Sequence, residues 1–141
     1  MAEGNWQRND RDAADLITVR DLTEIHRRII DAGPECEASL RDAVRDEATL
    51  DFIVMGANGI SDPLERAAFL LHRIATQHPF FEGNKRTALS AAAGTLIVYA
   101  KKHMRGSPEK INEFIRKAAS GNAEEREIVL WLKAVTEDII R

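Results

Sequence analysis

Five times along this chain a short polar residue precedes a run of apolar positions at helical spacing. Thr18 is followed three residues later by Asp21, and then Leu22, Ile25 and Ile29 repeat on one face until Gly33-Pro34 stops the pattern. Asp46 opens DEATLDFIVMGANG, which ends between Gly56 and Gly59. Asp62-Pro63 with Glu65 is a helix start, and Leu64, Ala68, Leu71 and Ala75 share the face that arrives at His78. Ser107-Pro108 begins a stripe of Ile111, Phe114, Ile115 and Ala118. Asn122, with Glu125 three later, is expected to cap a last helix with Ile128, Trp131, Leu132, Val135 and Ile139 inward. A sixth segment, KRTALSAAAGTLIVYAKKH, is apolar or small on nearly every side, the pattern of a central buried helix. No stretch alternates with period two long enough to make a strand. The expected fold is all-α: a single compact bundle of about six helices, with a loop of unusual composition between two core helices.

The 141 residues fit one domain with one core, here 16–141, preceded by a polar arm over 1–15. No apolar run approaches the roughly 20 residues of a membrane span, and the N-terminus has no apolar signal region. A soluble, cytoplasmic protein is the expectation. Cys36 is the single cysteine, which excludes an internal disulfide or a cysteine-based metal site. The net charge of −3, from 20 basic and 23 acidic residues, is not that of a nucleic-acid binder. Any phosphate recognition must come from a local cluster.

Residues 78–86, HPFFEGNKR, are that cluster. They lead straight into the buried helix, whose first amides have no intrahelical partner and carry the positive end of the helix dipole. Gly83 lets the backbone approach a ligand closely, and Lys85 and Arg86 add two cations beside it. Glu82 on the rim of a phosphate site is repulsive unless a cation lies between, which makes it a candidate magnesium ligand. His78 is suited to take a proton from an attacking hydroxyl near neutral pH. Phe80 is expected to anchor the loop in the core. Base, metal ligand and phosphate cradle together are the parts of phosphoryl or nucleotidyl transfer.

His78, Phe80, Glu82, Asn84, Lys85 and Arg86, continuing into Thr87-Ala88-Leu89, resemble the signature of the Fic/Doc superfamily. The lysine places the chain nearer the death-on-curing (Doc) toxins. The flanking segments ITVRDLTEIHRRII, VRDEATLDFIVMGA, ERAAFLLHRIATQHPF and AASGNAEEREIVLWLK are also similar, so the resemblance covers most of residues 17–135. It implies a fold of helices and the use of ATP with magnesium (Mg2+). It implies a toxin-type kinase that phosphorylates elongation factor Tu and arrests translation. His78 would be the base, Glu82 the metal ligand, Gly83, Asn84, Lys85 and Arg86 the phosphate site, and Phe80 the loop anchor.

The sister reaction is AMP transfer, and two positions separate the branches. AMP-transferring relatives have glycine where this chain has Lys85, and a second arginine where it has Leu89. Lys85 fills the room for the phosphate chain and Leu89 cannot hold a terminal phosphate, so the nucleotide is expected to offer its γ-phosphate. Glu82-Gly83 is the more Fic-like part of the motif. A catalytically silent phosphate-binding module is the third reading. SDPLER, residues 61–66, ends in arginine where self-restraining Fic proteins have glycine or asparagine. An antitoxin partner with a disordered inhibitory segment is therefore expected. Elsewhere, His72 is read as a satisfied structural histidine and His26, beside Arg27 and Arg28, as a surface residue. KKHMR, residues 101–105, is read as cations at a helix C-terminus, and Tyr99 and Trp131 as core residues.

Overall fold

The computed structural model describes residues 16–33 and 43–140. The arm over 1–15 and Cys36 lie outside the described residues. Among these residues there are six α-helices: α1 (Val19–Ala32), α2 (Glu47–Asn58), α3 (Pro63–Gln77), α4 (Asn84–Thr95), α5 (Pro108–Ala119) and α6 (Glu125–Val135). The all-α expectation holds. Local chemistry explains most of the starts. The Thr18 hydroxyl accepts from Asp21 N while Asp21 accepts from Thr18 N, a full capping box. Asp46, Asp62 and Ser107 accept from the backbone of Thr49, Glu65 and Lys110.

The core is centred on α3 and α4, which have the largest mutual contact. Ala67, Ala68, Leu70, Leu71, Ile74 and Ala75 of α3 are fully buried, against Ala88, Ala91 and Ala92 of α4. The small residues let these two helices approach closely, and Leu22, Leu50, Ile53, Ile115, Ile128 and Leu132 bring the other helices onto them. Phe114 and Trp131 stack at 4.1 Å between α5 and α6, both half-buried. Tyr99 is likewise half-buried, with the Arg66 guanidinium 5.3 Å above its ring.

Three expectations are corrected. Asn122 does not cap α6; its amide N–H bonds Lys117 O and its side chain donates to Ser120, so it finishes α5, and Glu124 takes the cap position. The sixth segment is buried only as far as Leu96. There α4 widens into a π turn, Leu96–Ala100, which carries Ile97 and Val98 out to 45% and 55% exposure. Finally there is a small sheet: β1 (Lys102–Met104) pairs antiparallel with β2 (Thr136–Asp138). Three residues per strand are too few to show alternation. Thr136 starts β2 and ends α6, so Ile139 is exposed and its N–H bonds Lys101 O. KKHMR does complement the preceding helical end, through Lys101 Nζ on Val98 O. It also pairs with β2, Lys102 with Asp138 at 2.7 Å and His103 with Glu137 at 3.4 Å.

Candidate active site

The C-terminus of α3 sets the site. His78 is its cap residue and has φ 50° and ψ 62°, left-handed backbone that a non-glycine residue adopts under constraint. The constraint is Arg45. Its Nε donates to His78 O at 2.6 Å and its Nη2 to Gln77 O at 2.9 Å. One guanidinium thus satisfies two carbonyls at the negative end of the helix. The backbone of the same segment holds the next residue, Arg45 N and Asp46 N both donating to Pro79 O, beside a bridge between Val44 and Phe80.

The loop is fastened from beneath as well. Phe80 is 1% exposed, and the ring of His26 lies flat against it with centroids 3.9 Å apart. His26 is itself 1% exposed, and its Nε2 donates to Glu82 O at 3.0 Å. This overturns the surface reading of His26. Leu22, His26 and Ile30 are the buried residues of α1, at a spacing of four. That spacing was the signal, and the neighbouring arginines obscured it.

Asn84 is buried and spans the loop. Its Oδ1 accepts from Phe80 N at 3.0 Å and its Nδ2 donates to Phe80 O at 2.8 Å. Its carboxamide thus braces the loop from within, while the residue also lines the cavity in front of α4. Gly83 caps α4 in left-handed backbone, φ 77°, and a Cβ there would sit 3.3 Å from Ile29 and 3.4 Å from Ile30. The left-handed turn favours glycine, and a side chain there would also crowd α1. The first backbone bond of α4 is Thr87 N to Gly83 O, and no side chain caps this end. Helices α1, α2, α3 and α5 have side-chain caps; α4, like α6, has none. The amides of Asn84, Lys85 and Arg86 are left to whatever lies in front of them.

In front of them is a cavity of about 350 Å³ lined by His78, Phe81, Glu82, Gly83, Asn84, Lys85 and Arg86. The structure brings together every residue singled out in the motif except Phe80, which lies beneath. Arg86 runs back along α1: a Cβ on Gly33 would meet its Nη1 at 2.7 Å, so the glycine there makes room for the guanidinium. Phe81, 55% exposed on the rim, and Arg45 were not singled out beforehand. Phe81 has no signal beyond its place in the loop, and Arg45 becomes visible only once segment 44–46 is seen to cross it. His72 stands apart on α3, half-buried; its Nδ1 makes no hydrogen bond and lies 3.8 Å from Glu125, so it is less satisfied than expected.

A polarised helix end, a left-handed glycine, an imidazole and a carboxylate around one cavity suit the handling of phosphate oxygens beside a proton acceptor. A family model, described as Fic/DOC family, matches residues 16–96. The chain belongs to the Fic/DOC family. The match spans α1 to α4 and contains the whole loop, and it makes the chain a Fic-type enzyme of nucleotide-dependent transfer. No curated protein matches the chain. Among the described residues no helix is long and apolar enough to cross a membrane.

Proposed function

We propose that this Fic/DOC protein is a toxin-type kinase that moves the γ-phosphoryl group of ATP to a serine or threonine hydroxyl of a protein. The observation that carries this reading is the pair Lys85 and Leu89. Lys85 lines the cavity over the loop, and Leu89, half-buried and apolar, stands one turn further along α4. In an AMP transferase these positions supply open room and a second arginine. Here the room is filled, and no cation at position 89 holds a terminal phosphate. A nucleotide gripped at the loop then offers its outer phosphate to the attacking group.

The hydroxyl oxygen of the target attacks the γ-phosphorus as the bond to the bridging oxygen breaks and ADP leaves. His78 takes the hydroxyl proton. The α4 amides, Lys85 and Arg86 meet the charge that spreads over the phosphoryl oxygens. The left-handed cap at His78 matters here, because it turns the side chain off the helix axis into the cavity. Among the described residues that line the cavity, Glu82 is the one carboxylate. It fits a magnesium ion that takes its other ligands from phosphate and water and arrives with the nucleotide. Magnesium would supply charge neutralisation between the phosphates.

The proposed acceptor is elongation factor Tu, supported by the likeness of the loop to the death-on-curing branch, and translation arrest in the cytoplasm follows from it. An antitoxin with a disordered segment is the proposed partner, since SDPLER does not match an internal inhibitor. The deciding experiment incubates the purified chain with elongation factor Tu and ATP labelled at the γ or the α position. Label on the factor from the γ position alone is the expected result. Label from the α position would replace the reading by AMP transfer, and Lys85→Gly with Leu89→Arg should move the chain that way. Growth arrest on expression that survives His78→Ala would remove His78 as the base.

A further inference from the structure

A second cavity, of about 430 Å³, opens between α4 and α5, lined by Lys85, Arg86, Leu89, Asn112, Ile115 and Arg116. It shares Lys85 and Arg86 with the cavity over the loop. The two cavities therefore adjoin at those two residues, and a ligand longer than either could reach across them. We propose that the second cavity holds the nucleoside end of the nucleotide, with Asn112 and Arg116 as its specificity-determining residues. The proposal rests on the reading of the loop as the γ-phosphate site, which leaves the nucleoside end to lie beyond the loop cavity.

The two cavities differ in the way the two ends of a nucleotide differ. The loop cavity offers backbone amides, cations and a carboxylate. The second adds an apolar floor, Leu89 half-buried and Ile115 4% exposed, which a phosphate chain cannot use and the face of a base can. Asn112 and Arg116 are one turn apart on α5 and both exposed, so they present side by side at the edge of that floor. A carboxamide has a donor and an acceptor in one plane, the complement of the adjacent amino group and ring nitrogen of adenine. A guanidinium lies flat on a purine. The volume is in the range of pockets that bury a small ligand. Helix α5 lies beyond residues 16–96, so the family match assigns neither residue a role.

The test is calorimetric binding of magnesium-ATP, magnesium-GTP and inorganic tripolyphosphate to the full chain and its variants. The wild-type chain should bind ATP more tightly than tripolyphosphate. Asn112→Ala and Arg116→Ala, both at exposed helical positions, should each weaken ATP roughly tenfold and leave tripolyphosphate unchanged. Asn112→Ala should also narrow the preference for ATP over GTP. Lys85→Ala should weaken ATP and tripolyphosphate together. If the α5 variants lose tripolyphosphate as fully as ATP, the cavity holds phosphates and the inference is overturned. If they change neither, the base lies elsewhere and it is overturned again. In both cases the loop reading stands on wild-type tripolyphosphate binding. A wild-type chain that binds neither ligand would remove the loop reading, and the inference with it.

Discussion

The imidazole of His26 lies 6° from parallel to the ring of Phe80, and its Nε2–H reaches the carbonyl of Glu82. A carbonyl can only accept, so the proton sits on Nε2. One buried side chain of α1 therefore fixes both the residue beneath the loop and the backbone of the candidate metal ligand. The two contacts separate by substitution. His26→Phe keeps the stack and leaves Glu82 O without its donor, at a cost of about 1 kcal/mol. His26→Ala removes both and opens a cavity, at about 3 kcal/mol. Urea unfolding should give that order. Transfer activity should already fall for His26→Phe, since the Glu82 carbonyl is released in both; equal activity of His26→Phe and wild type would show that the bond does not position the loop.

Asn84 uses both ends of its amide on one residue, Phe80. Asn84→Ala strands a buried N–H and a buried carbonyl and should cost about 2–3 kcal/mol in denaturant unfolding. Asn84→Asp sets an acceptor against the Phe80 carbonyl at neutral pH. When the introduced carboxyl is protonated it can donate again, so the destabilisation should shrink as the solution is acidified. A loss independent of pH would mean that the loop has rearranged around the substitution.

What could be read from the sequence, and what could not, divides by range. The cap at Asp62-Pro63-Glu65 is written within four residues, and α3 begins where that local chemistry puts it. The loop motif is also contiguous, and all its singled-out residues but the buried Phe80 line one cavity. His26 was misread because adjacent arginines outweighed the four-residue spacing of Leu22, His26 and Ile30. Asn122 was misread because Gly121, in left-handed backbone at φ 85°, lets the chain fold back on α5 before α6 can start. The grip of Arg45 on Gln77 and His78 spans more than 30 positions, and the second cavity joins α4 to α5. No local pattern encodes contacts of that kind; packing creates them.

Arg45 gives a prediction in which stability and activity part. Its fork is exposed, so Arg45→Ala should cost only about 1 kcal/mol after allowance for solvent screening. The backbone of His78 is strained, however, and loses the partner that holds it. Displacing a base by an ångström can cost about a hundredfold in rate. Steady-state kinetics should therefore show a fall in kcat of roughly that size with the KM for ATP little changed. Arg45→Lys should not restore it, because one ammonium cannot serve two carbonyls in the same planar geometry. A KM effect without a kcat effect would place Arg45 in nucleotide binding instead.

Asp46 links the acid behaviour of the fold to the loop. Its carboxyl is held below the ordinary carboxylate range, first by the bond from the backbone N–H of Thr49, then by the Thr49 side chain, and also by the charge of Arg45. The sign follows from linkage: the folded value lies below the unfolded one, so the contribution is fully present above the unfolded value of about 4 and disappears as the pH falls through the folded value. Asp46→Asn keeps a side-chain oxygen that can cap α2 but cannot titrate in this window. Urea midpoints followed from neutral pH into the acid range should converge for the variant and wild type at low pH, with wild type the more stable above about pH 4. Since the backbone N–H groups of Arg45 and Asp46 both hold Pro79 O, loosening the start of α2 should loosen the loop too. Hydrogen exchange at these two amides should accelerate in acid for wild type, relative to the core amides of α3, and less so for Asp46→Asn. Identical acid profiles for the two chains would separate the cap from the loop and leave Pro79 held by the backbone alone.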